Sequence, residues 1–171
     1  MQMVKKMLFT FLLTWFALLA LMPKTELYYK LEEELGTKGI KIAEGELEEG
    51  IFSLQIKDAR VYVKGVKIAD IRQMHFFTLF FYSSLQGRGV SLDASLKRMA
   101  PQHIEHLAVT HSLFLPATLS IRAKGDFGQL EGEAGLKERK VHLRFIEAEE
   151  INRFRSKLKK DEKGWYYETS F

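Results

Sequence analysis

The chain of 171 residues has no cysteine, so no disulfide staples its fold and no thiolate is present to bind a metal or attack a substrate. It has only three prolines and no Ser-, Gln- or Pro-rich tract, which excludes a disordered linker of ordinary composition. Charge of one sign is also scarce: 26 basic against 22 acidic residues give a net +4, and Lys5 and Lys6 account for half of that excess. The remaining charges are interspersed, which gives no basic patch for nucleic acid and argues against a nucleic-acid partner. Neither GxGxxG, GxxxxGK[ST] nor GxSxG occurs, so phosphate-loop and nucleophile-elbow chemistry have no sequence support. The expectation is a protein that is not an enzyme and carries no cofactor.

What the chain does have is one long uncharged apolar run, residues 7–22, MLFTFLLTWFALLALM, preceded by Lys5 and Lys6 and closed by Pro23 and Lys24. This pattern predicts a retained transmembrane anchor over 7–22, with Leu8, Phe11, Leu12, Trp15, Leu18 and Leu19 facing lipid and residues 1–6 as a cytoplasmic tail. A cleaved signal peptide fits less well, because Ala17 and Ala20 have the wrong spacing for a cleavage site and Pro23 lies close by. Residues 24–171 then form one domain, long enough for a core of its own.

After the run, Thr25 can cap a short helix over 26–35, in which Leu27, Leu31 and Leu35 make one face and Gly36 stops the helix. From Gly39 the apolar period becomes two, as in strands with one wet face. The apolar positions are even-numbered up to Ile56 and odd-numbered from Ala59, which requires a bulge or tight turn near Lys57 and Asp58. Residues 74–82, MHFFTLFFY, are the second most apolar stretch and too short to cross a membrane as a helix, so they belong to a core or line an apolar groove. Residues 125–145 read as a hairpin turning near 137–140. Residues 147–160 read as a second helix, with Ile151, Phe154 and Leu158 on one face and charges that complement the helix dipole. The fold class expected is therefore mainly β, α+β: one transmembrane helix, then a curved antiparallel sheet forming an open half-barrel or groove, with two short amphipathic helices.

Two constellations invite a chemical reading. His103, Glu105 and His106 lack the HExxH spacing and, on a strand, His103 and His106 face opposite ways, so no metal site is predicted. Gly125, Gly128, Gly132 and Gly135 have no βαβ setting and fit bulges and bends of a curved sheet.

The N-terminal anchor, the opening MPKTELYYKLEEELGTKGIKI, the strands EGELEEGIFSLQIKDARVYVKGVKIADI and the late hairpin GDFGQLEGEAGLKERKVHLRF together resemble the type II secretion system protein N (GspN) family and, more loosely, the AsmA-like periplasmic proteins. The resemblance implies a single-pass protein of the bacterial inner membrane with its C-terminal domain in the periplasm. It implies a part in an envelope-spanning secretion machine through contacts with other envelope or secretion proteins, and no catalytic residue to carry over. The alternative is a lipid-handling module, AsmA-like or of the LptC type, holding acyl chains on the concave sheet face, with Phe76, Phe77, Leu79, Phe80 and Phe81 as the lining.

Overall fold

A computed structural model describes residues 2–21, 23–79, 81–96, 100–149, 151–153 and 155–171. Helix α1, Gln2–Leu21, leads through Pro23 into α2, Lys24–Thr37. Among the described residues eleven strands then build one antiparallel sheet. They are β1 (Ile40–Ala43), β2 (Glu46–Glu49), β3 (Ser53–Val63), β4 (Val66–Leu79), β5 (Tyr82–Leu92), β6 (His103–Ser112), β7 (Thr118–Gly125), β8 (Gly128–Gly135), β9 (Lys140–Ala148), β10 (Lys159–Asp161) and β11 (Gly164–Ser170). Strands β3 to β9 follow one another as a meander, β11 and then β10 extend it, and β1 and β2 share the other edge of β3. The path ends at β1 and β10, so the sheet is open.

The mainly antiparallel β architecture is the one the alternating pattern predicts, but two parts of the expected fold are corrected. The first is the anchor. Among the described residues no helix is long and apolar enough to cross a membrane. Helix α1 begins at Gln2 and takes Lys5 and Lys6 into its own first turns, leaving an uncharged stretch over 7–21. At 1.5 Å per residue that stretch is about 22 Å long, against about 30 Å of hydrocarbon. The single-pass anchor and the inner-membrane placement built on it are therefore not supported. Of the residues assigned to that anchor, Leu8, Phe11, Leu12, Trp15 and Leu18 are exposed along α1, and the side chain of Leu19 lies outside the described residues.

The second correction is the second helix. Strand β9 runs on to Ala148, and two single 3-10 turns, Ile151–Arg153 and Arg155–Lys157, follow before β10. Ile151 is buried against Phe127 and Phe145, and Leu158 packs on the same cluster. A seven-residue separation suits a helix face, yet two tight turns deliver the same pair to the core while freeing 159–161 to pair with β11. Phe154 lies outside the described residues.

The expected change of side-chain facing is found at Asp58, which takes φ +51°, while the pairing with β4 keeps its register across it and shifts only between Val61 and Tyr62. Asp58 belongs to a row that crosses several strands, because the pairing skips Asp58 opposite Arg72, Arg72 opposite Gly89 and Gly89 opposite Glu105. Gly89 takes φ +61°, and a Cβ there would stand 3.1 Å from that of Arg72. One unpaired residue per strand keeps neighbouring strands in register while Ile56 and Ala59 both face the core. The side-chain facing thus reverses in all four strands along one line.

All the core lies on one face. At one side Tyr28, Leu54, Ile56, Ala59 and Met74 form a cluster covered by α2, and at the other Phe127, Phe145 and Ile151 form a second one with Trp165 and Leu158 against it.

Candidate functional site

Between α2 and the sheet lies a cavity of about 200 Å³ lined by Lys24, Leu27, Tyr28, Leu31, Phe52, Ser53, Leu54, Phe76 and Thr78. Its walls follow from local rules. The four-residue leucine spacing of α2 sets Leu27 and Leu31 over the sheet, while alternation in β3 and β4 sends Leu54, Phe76 and Thr78 up to meet them. Glu49, at the end of β2, fixes the start of the helix. Its carboxylate accepts the backbone N–H groups of Lys24 (3.1 Å) and Thr25 (3.4 Å) and the Thr25 hydroxyl. These bonds, that of the Thr25 hydroxyl first, hold the Glu49 carboxyl below the usual carboxylate range. The expected capping role of Thr25 is thus taken by a carboxylate from the sheet, reached across 24 residues.

Tyr28 is the most buried wall residue of the helix. Its hydroxyl has no partner in hydrogen-bonding geometry, and burial first, then the nearby Glu44 and Glu32 carboxylates, keep the phenol neutral well above its ordinary range. The cavity therefore contains no ionised group of its own except at the rim, where Lys24 stands 3.8 Å from Glu49.

From the cavity two apolar rows run across the sheet on the same face. Directly paired residues give one row, Phe76, Leu85, Val109, Ile121, Gly132 and Leu143, and beside it Met74, Gly87, Leu107, Ala123, Leu130 and Phe145. Helix α2 contacts β1, β2 and β3, and Leu85, Leu107, Val109 and Ile121 beyond it are only half-buried. Gly132 lets β9 approach closely, since a Cβ there would stand 2.0 Å from the His142 carbonyl oxygen. The opposite face is polar, with Gln73, His75, Gln86 and Arg88 around one shallow hollow and an Arg122–Glu131 ion pair.

The five aromatic and leucine residues read from 74–82 as a groove lining part company here. Phe76 is in the cavity wall; Phe77, paired with Ser53 and Ser84, projects from the other face. Leu79 pairs with Tyr82 at the end of the hairpin, and Phe81 sits at its tip, with its ring 5.8 Å from that of Phe114. Phe80 lies outside the described residues. The leucine stripe of α2 marks Leu27 and Leu31 in the sequence, but as packing, and Phe52 carries no local signal. Among the described residues no three His, Cys, Asp or Glu side chains gather in a metal-holding group. His103 Nδ1 instead stands 3.2 Å from the Ser91 hydroxyl. No family model, curated protein or solved structure matches the chain.

Proposed function

We propose that the chain is a binding module, without catalysis, for an extended apolar chain of the fatty-acyl class. One observation carries the reading: an apolar cavity under α2 that continues, on the same face, into two half-buried apolar rows. At about 200 Å³ the cavity is smaller than the ~300–1,000 Å³ of pockets that enclose a whole small molecule. It suits one end of a chain whose remainder lies along the rows. Apart from Lys24 at the rim the walls are uncharged, which favours a hydrocarbon deep in the cavity and leaves a polar end of the chain at the rim.

Assembly through edge-strand pairing has less to recommend it. One edge is shared by the four-residue β1 and by β2, whose Glu46 and Glu48 pair with Lys57 at 2.9 and 2.8 Å, and the other ends in β10, three charged and exposed residues. Charged, very short edges are the usual defence against strand addition.

Titration of the full chain with a fluorescent long-chain fatty acid tests the proposal. Saturable binding should fall in Leu31→Lys and Val109→Lys and persist in Ala108→Lys, which changes the neighbouring position on the polar face, each variant keeping a cooperative melt. Absence of saturable binding, or an equal loss in Ala108→Lys, contradicts it.

A further inference from the structure

Four loop tips lie side by side at one end of the sheet, and backbone hydrogen bonds join their flanks into a row. Thr78 N–H donates to Phe52 O (2.9 Å), Leu113 N–H to Phe81 O (2.9 Å) and Leu136 N–H to Ala117 O (2.7 Å). The first three tips, residues 50–53, 79–82 and 112–118, contain no charged side chain at all. Ile51, Phe81, Leu113, Phe114, Leu115 and Leu136 are exposed along this row, Phe114 by 82%. Seen in sequence they are scattered; the sheet order alone brings them together. The fourth tip adds cations beside Leu136, with Lys137, Arg139 and Lys140 against Glu138, all exposed. Helix α1 joins the molecule at the same end, its Phe16 ring 5.2 Å from Phe52.

A ridge of tips with aliphatic and aromatic ends, flanked by cations, has the composition of a surface that enters the boundary between lipid headgroups and acyl chains. Helix α1 narrows the choice of occupant. Exposed apolar side chains occur around its whole circumference, including Leu8, Phe9, Phe11, Leu12 and Leu13. A protein groove covers one stripe of a helix, whereas the boundary between headgroups and acyl chains accepts a wider apolar surface. The cavity under α2 is also lined by Phe52, so the ridge and the proposed acyl site are continuous.

We infer that this end of the molecule docks on the surface of an anionic phospholipid bilayer, with the ridge tips entering its outer apolar layer and no element crossing it. The inference goes beyond the acyl-chain reading and does not require the cavity to be filled.

The absence of native cysteine makes a direct test simple. A polarity-sensitive dye is attached to the full chain through Phe114→Cys at the ridge or, as a control, through Glu162→Cys in the turn at the far end of the sheet. Each is mixed with phosphatidylcholine–phosphatidylglycerol vesicles carrying brominated acyl chains. Quenching and a blue shift are expected at the ridge and neither at the control. Vesicle binding with the ridge dye unquenched would assign the contact to α1 alone and overturn the inference. So would no vesicle binding, or a ridge dye already blue-shifted without lipid, which would mean a second copy or another protein covers the tips. With both Phe81 and Leu115 changed to Asp, vesicle affinity should fall about tenfold or more, as expected for losing two inserted apolar side chains, with the circular dichroism spectrum unchanged.

Discussion

The two ends of the sheet are made from the same hairpins and turn toward different surroundings. At the ridge end three of the four tips carry no charge, and the tips are joined by backbone hydrogen bonds and by the Phe81–Phe114 ring contact. At the other end polar groups close the structure. The Asp126 carboxylate accepts the backbone N–H groups of Gln102 (3.1 Å) and His103 (3.2 Å), and Asp161 takes both guanidinium nitrogens of Arg144 at 2.8 Å. Phe127 is buried beneath, edge-on to Phe145. Exposed apolar side chains are most numerous at the end that carries α1, while Val66 and Ile146 are exposed toward the polar end. Hairpin tips are free to differ in this way because turn residues contribute little to the sheet ladder itself.

The largest effect that separates the ends is expected from truncating their phenylalanines. Phe127→Ala removes a side chain that is 1% exposed and should cost about 3–5 kcal/mol in denaturant unfolding. Phe114→Ser, at the ridge, should stay within about 0.5 kcal/mol. Equal costs would mean that the ridge is part of the core.

The turns give a smaller contrast within the polar end. Gly128 takes φ +89°, and a Cβ there would stand 2.1 Å from the Glu147 carbonyl oxygen; Gly65 takes φ +82° with open space around it. Gly65→Ala should cost about 1–2 kcal/mol for its left-handed backbone, and Gly128→Ala more, because the clash adds to the same strain. A thermal melt of the two variants checks the order.

The smallest effect is a pH dependence. Hydrogen bonds from Arg144 first, helped by the backbone N–H of Lys163, lower the Asp161 carboxyl from 3.8 to about 2. A depressed carboxyl pKa stabilises the fold above its unfolded value, and that contribution is lost as pH falls from 3.8 through about 2. Asp161→Asn should therefore flatten the acid limb of the stability curve in that window and leave the ridge dye response unchanged.

The sheet was legible because alternation survives local noise. The parity change between Ile56 and Ala59 located the change of facing at Asp58, although a single strand gives no sign that Arg72, Gly89 and Glu105 continue it. Helix α2 announced itself through Leu27 and Leu31. Its deepest contact, Tyr28, did not, since a tyrosine one step off the stripe reads as interfacial. The cavity and the ridge stayed hidden for another reason. Phe52 and Phe76, or Phe81 and Phe114, are neighbours through strand order, at sequence separations that no local pattern spans. The run over 7–22 misled in the opposite direction: its composition suggested a spanning anchor, whereas no helix among the described residues is long and apolar enough to cross a membrane.

Hydrogen–deuterium exchange of the full chain, with and without anionic vesicles, tests the difference between the two ends most directly. Added protection is predicted at the tips over 50–53, 79–82, 112–118 and 136–140, with none at 64–65, 126 or 162–163. Protection at the polar end, or no change at any tip while the chain is bound to the vesicles, would contradict the account.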